Sequence, residues 1–214
     1  RTPTSDDIVA LNRAAIISFL TQMYHYIQYN SKIVLQAAKK MQQLNRPEYK
    51  QIVAGLEERI SLITASEREA EEEAPHYKWV LEGLEKAFGL SVDEIKKTQP
   101  SPHVIKYGRI LTEAANSDNP LSYLGGAYML NKWTADRGVD SVTSCCGNLI
   151  KYSGIPQIIA ALKVYLEHAV LDLQHYRRMR ELIANGVPLK YGDHEAIVKV
   201  GKEMAYQIYL GKEK

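Results

Sequence analysis

Apolar residues recur every three or four positions along most of this chain, and the two-residue alternation of a strand survives nowhere. Ile8, Leu11, Ala15, Phe19, Met23 and Ile27 form one stripe behind Ser5, Asp6 and Asp7 as cap and dipole partners, predicting a first helix to about Tyr29. A second helix is expected over 31–43, and Pro47 opens a third that carries Ile52, Leu56, Ile60 and Ile63 toward Glu69. Pro75 interrupts regular hydrogen bonding and bends or restarts the segment, which puts His76 in a first turn. Gly89 closes that helix, and Ser91 to Glu94 is a capping box for a short one. Pro100 and Pro102 mark a loop before a helix over 102–115, which ends in the turn Asn116-Ser117-Asp118-Asn119-Pro120. The central helix, 121–136, stops at Gly138. Gly125 and Gly126 in its middle cost about 1 kcal/mol each in propensity, so something approaches closely there, either a packed helix or a ligand lying on bare backbone. A short helix with both cysteines, a long one from Gly154-Ile155-Pro156 to about Ala184, and a last one over 193–210 complete the series. The pattern predicts an all-α, compact bundle of seven to eight helices in one domain spanning 1–214.

Polar residues interrupt the apolar stripe of the long helix in a regular way. Steps of four and three place His168, Asp172 and His175 within roughly 60° of one another on one helical face. Ile158, Ala161, Leu162, Val164 and Tyr165 run straight into that face, so it is the buried one. Burying two imidazoles and a carboxylate costs several kcal/mol unless they are satisfied. A metal ion does so, and so does a core network in which Asp172 pairs with one histidine. Glu69, Glu72 and Glu73 stand seven, four and three residues before His76, all at helical spacings. Such an acidic run is ordinarily a solvated face, but one inward glutamate is enough. A carboxylate and an imidazole facing His/Asp/His is ligand chemistry for non-heme iron or manganese inside a bundle.

Glu69 with His76, followed about ninety residues later by His-x-x-x-Asp-x-x-His, resembles the heme-oxygenase-like non-heme diiron oxidases and oxygenases, the family of the chlamydial death-domain-associating protein. The tyrosine-rich first helix, L-T-Q-M-Y-H-Y-I-Q-Y-N, and the segment L-S-Y-L-G-G-A-Y-M-L-N extend the likeness over residues 5–184, although its sharp part is about six positions. The resemblance implies a heme-oxygenase-like fold. It also implies Fe(II) as cofactor, as two ions with one weakly held, and O2 as co-substrate. The expected substrate is a small carboxylate-bearing molecule, an amino acid favoured over a fatty acid, undergoing C–C cleavage or amine or C–H oxidation. The implied ligands are Glu69, His76, His168, Asp172 and His175, with Glu73 as a further candidate. Relatives carry a glutamate where this chain has Asn131, an amide and a much poorer ligand, hence the weaker second position. Asp136 is a possible substitute but points about 140° away on a regular helix, and Glu113 is a weaker one. Tyr24, Tyr26, Tyr29, Tyr128, Asn131 and Tyr165 are candidates for the pocket wall, and Lys163 or one of Arg177, Arg178 and Arg180 for a partner to a substrate carboxylate. The resemblance further offers Tyr26 or Tyr29 as a tyrosine consumed by the protein itself, with Lys151 as amine donor.

Composition narrows the alternatives. Fourteen tyrosines stand against two phenylalanines, and 27 basic and 25 acidic residues are interspersed to a net charge of +2, which argues against a nucleic-acid-binding surface. Cys145 and Cys146 are adjacent and poorly placed to bridge, which suits a reduced, cytoplasmic setting. A thiol nucleophile, as in thiaminase-type hydrolases of the same fold, is the functional alternative for them. The charge-free run from Ala14 to Asn30 carries Ser18, Thr21, Gln22, His25 and Gln28 and is too polar to span a bilayer. No signal peptide is expected. The expected partners are therefore a small molecule and a second copy in a homodimer, with no membrane and no nucleic acid. Two competing classes remain. One is a non-catalytic metal- or ligand-binding module of the same fold. The other is a true heme oxygenase using His25, which would leave the His168-Asp172-His175 cluster unexplained.

Overall fold

The computed structural model describes residues 5–47, 49–56, 76–184 and 190–210, and among them all regular structure is helical. Helix α1 runs without a break from Ser5 to Leu44. The expected division near Asn30 does not occur. Neither glycine nor proline stands there, and the Asn30 side chain accepts a 2.7 Å hydrogen bond from the Tyr107 hydroxyl, so it is not free to cap a new helix. The chain turns at Asn45, with φ of 46°, into a helical stretch over 49–56, α2.

Helix α3 is described over His76–Phe88, and the expected interruption at Pro75 lies outside the described residues. Helix α4 (Val92–Lys97) carries the capping box foreseen at Ser91, whose backbone N–H reaches Glu94 Oε2 at 2.8 Å. Ser101 caps α5 (Pro102–Asn116), with Pro102 in its first turn. The helical stretch α6 (Ser122–Ser153) changes direction at Gly138, whose φ of 70° and ψ of 161° leave the helical region, so the two helices expected here meet at that residue. A 3₁₀ turn, Pro156–Ile158, leads into α7 (Ile159–Ala184). Helix α8 (Tyr191–Ala205) passes into a π turn, Tyr206–Leu210.

Two apolar cores result. One joins the C-terminal half of α1, including Ile33 and Met41, to α2, α5, the start of α6, the end of α7 and α8. The other joins the N-terminal half of α1, including Leu20 and Tyr24, to α3, the end of α6 and the start of α7. Helices α1, α6 and α7 serve both. On α7 the change of core falls between Ala169 and Met179, and on α6 between Leu130 and Val142. The His168-Asp172-His175 segment therefore sits at the seam.

Helix packing accounts for the central glycines. A Cβ on Gly125 would lie 1.9 Å from the Ile197 carbonyl oxygen of α8, and one on Gly126 would lie 2.4 Å from Leu111 Cδ2 of α5. Among the described residues no helix is long and apolar enough to cross a membrane.

Candidate functional site

At the seam the helices exchange partners, and the packing leaves a cavity of about 300 Å³. Helix α1 contributes Phe19, Met23, Tyr26 and Ile27, α5 Val104 and Tyr107, α6 Leu130 and Trp133, and α7 Val164, Tyr165 and Asp172. Phe19 is 42% exposed at one end, whereas Asp172 is only 8% exposed. The wall is aromatic by construction. Tyr26 stacks on Tyr107 with centroids 4.6 Å apart, and Phe19 on Tyr165 at 5.7 Å. Burial, and next the neighbouring Cys146, push the Tyr165 hydroxyl up to about 12, so it remains a neutral donor.

Asp172 has an imidazole beside it, His175 Nδ1 at 3.5 Å from Oδ1. That nitrogen is fully buried and has no hydrogen-bond partner, so the pair does not close into the core network that would satisfy it. Asn131 is also buried, 1% exposed, with its Nδ2 unpartnered. Helices α6 and α7 run antiparallel across the Gly154–Ile158 connection, and the Tyr128 and Tyr176 hydroxyls meet at 3.4 Å. One turn onward on α6 is Asn131, and one turn back on α7 is Asp172, so the two lie at the same height. An orphaned buried polar atom costs about 1–3 kcal/mol. One such atom, on His175, lies beside the buried Asp172 carboxylate, and the other, on Asn131, lies at that carboxylate's height on the facing helix.

The donor set fits a metal ion in part. An imidazole nitrogen and a carboxylate oxygen 3.5 Å apart can both reach one ion at about 2 Å from each. The side chains of His168, Glu69, Glu72 and Glu73 lie outside the described residues. Among the described residues no three His, Cys, Asp or Glu side chains converge on one point.

The remaining candidates fall elsewhere. His76 faces Glu167 of α7, with Nε2 at 3.8 Å from Oε2, and packs on Trp79 with ring centroids 5.0 Å apart. Lys163 completes that surface group, 3.7 Å from Glu167 and 4.1 Å over the Trp79 ring. Asp136 is exposed and paired with Lys132 at 2.5 Å, and Glu113 is exposed beside Arg109 at 3.8 Å. Tyr24 belongs to the second core, its hydroxyl accepting from Gln28 Nε2 at 2.9 Å. Tyr128 lines a different cavity, and Tyr29 packs over Gly108. Of the pocket candidates, Tyr26 and Tyr165 line the seam cavity.

His25 is 9% exposed and its Nε2 is engaged with Thr98 Oγ1 at 2.9 Å, an internally satisfied imidazole rather than an open axial ligand. Burial pushes the Cys146 thiol up, which is the reverse of an activated nucleophile.

Sequence reasoning missed Tyr107, Trp133 and Glu167. Glu167 was in view, one residue before His168. The other two carry no local signal, because only the packing of α5 and α6 at the seam turns them inward. Comparison with family models, with curated proteins and with solved structures finds no match.

Proposed function

We propose that this chain is a non-heme iron, O2-dependent oxidase or oxygenase of heme-oxygenase-like architecture, acting on a small molecule held in the seam cavity. The observation that carries the reading is the buried, unpartnered His175 Nδ1 beside the buried Asp172, which lies at the height of the orphaned Asn131 amide. Asp172 and His175 would hold the metal, with His168 from the preceding turn of the same helix. A second, weaker position would draw on Glu69 or Glu73, and on His76 only if it leaves the Glu167 pairing described above. When bound, ferrous iron supplies the electrons that reduce dioxygen and the oxidising power directed at a C–H or C–N bond.

The chain's own residues do the rest. The stacked Tyr26 and Tyr107, with Trp133 and Tyr165, exclude water and fix the substrate's orientation by shape. Among the described lining residues none is Lys or Arg. A carboxylate head drawn inside would meet the Asp172 carboxylate and, of basic groups, only His103, whose Nδ1 is engaged with Gln207, whereas an ammonium would meet aromatic faces and Asp172. This favours an amino acid or amine over a fatty acid in this cavity.

Anaerobic titration with ferrous iron tests the reading. A tight equivalent should appear in the wild type and disappear in His175→Ala and Asp172→Ala. Undiminished iron in both variants ends it. Oxygen uptake by the iron-loaded protein, screened over amino acids, amines and fatty acids, then identifies the substrate. Iron without oxygen consumption under any substrate would favour the second reading, a binding module, which the pairing of His76 with Glu167 supports.

A further inference from the structure

Helices α6 and α8 cross so closely that the Gly125 and Gly201 backbones face each other, a Cβ on Gly201 lying 3.4 Å from the Gly125 carbonyl oxygen. Side chains beside the crossing are held apart, and the end of α7 roofs the gap without filling it. The result is a second cavity of about 380 Å³, lined from α6 by Gly125, Tyr128 and Met129, none of which lines the seam cavity. Met129, Ile183, Ile197 and Val198 form its wall, and Val198 is left 51% exposed there. Arg180 from α7 and Lys202 from α8 are both exposed and both line it. Neither is ion-paired with a described residue, whereas the neighbouring Arg178 pairs with Glu181 at 3.8 Å.

We propose that this slot is a second ligand site and that its ligand is an amphipathic monocarboxylate, a fatty acid of medium chain length. The alkyl chain lies against Met129, Ile183 and Ile197, where water is displaced from apolar surface. The carboxylate stays at the rim between Arg180 and Lys202, half in solvent, and gains a charge-assisted hydrogen bond to the guanidinium without full desolvation. A neutral lipid would leave both cations unused. A compact phosphate would leave the apolar wall wet. The volume is at the lower end of the about 300–1,000 Å³ usual for ligand pockets, which selects a single chain over a phospholipid. The site does not depend on iron, since it shares no lining residue with the seam cavity.

Isothermal titration of the purified chain with sodium decanoate, decan-1-ol and decylamine decides the matter. Decanoate should bind, decanol at least tenfold more weakly and decylamine not at all. The double variant Arg180→Glu/Lys202→Glu, altered only at exposed positions, should weaken decanoate at least tenfold and leave decanol unchanged. Ala205→Phe, which fills the slot from α8, should abolish both, and thermal melts confirm that each variant is folded. Absence of decanoate binding, equal binding of decanoate and decanol, or full binding by the charge-reversed variant would overturn the proposal. So would a loss of binding in Trp133→Ala with Ala205→Phe unaffected, which would move the ligand to the seam.

Discussion

The two cavities flank one helix and differ in where their polar atoms stand. The seam cavity is lined by the buried carboxylate of Asp172, with the buried, unpartnered nitrogen of His175 beside it, and its exposed end is aromatic. In the α6–α8 slot the apolar wall is inside and the cations are at the rim. Rim charges cost little to keep hydrated and recognise a ligand head; buried ones cost stability and persist where chemistry needs them. Position along α6 sets this difference. Tyr128 and Met129 line the slot, while Leu130 and Trp133 line the seam cavity.

The largest effect should come from the crossing that creates the slot. Gly125→Ala would push a methyl group into the Ile197 carbonyl of α8, a backbone atom that cannot rotate away, and should destabilise the protein by about 3 kcal/mol in urea unfolding. Gly147→Ala, with nothing within 4 Å of its new Cβ, should be neutral or stabilise by about 0.5–1 kcal/mol through helix propensity. Equal effects at the two glycines would show that the crossing is looser than described and that the slot is not a fixed feature.

Next in size is the seam. If Asn131 and Asp172 were structural, removing their polar groups would lower stability. If they are held ready for a ligand, Asn131→Leu and Asp172→Leu should each stabilise the metal-free protein by about 1–2 kcal/mol, and Asp172→Leu should also abolish iron binding. Destabilisation by both would return the cluster to a core network and remove the main support for the iron reading.

What the sequence disclosed follows the same division between local and tertiary causes. The stop at Gly138 and the Ser91 cap are local, and both were legible. The buried face of Asp172 and His175 was legible too, because the apolar stripe of α7 runs through it. The unbroken α1 was not, since Asn30 looks like a break until Tyr107 takes its side chain. Nor were the cavity walls, because a tyrosine on an amphipathic helix faces core or cavity according to where two cores meet. Arg180 was one of three neighbouring arginines, and only the position of α8 distinguishes it from Arg178.

A smaller effect separates the two buried histidines. His25, hydrogen-bonded to Thr98, has its pKa pushed below 6.5 by burial, against which the Thr98 contact works. The folded state therefore resists protonation more than the unfolded chain does. The stability His25 contributes is complete above about 6.5 and is lost as pH falls from there to the folded value. Thermal unfolding followed from pH 7.5 to 5 should show part of this loss, and His25→Gln should flatten the profile. An unchanged profile in His25→Gln would assign the acid sensitivity to other groups.

The smallest effect concerns neighbouring arginines and sharpens the comparison most cheaply. Arg178 pairs with Glu181 one turn away, both more than half exposed, and such pairs contribute at most a few tenths of a kcal/mol. Arg178→Ala should therefore leave both stability and decanoate affinity unchanged within error. Arg180→Ala, two residues on, removes a cation that lines the slot and should weaken decanoate while leaving stability alone. The two substitutions change net charge identically, so general electrostatic attraction would affect them alike. A difference seen only in carboxylate affinity locates the anion at the slot, and an equal weakening by both would show that the surface attracts carboxylates without a defined site.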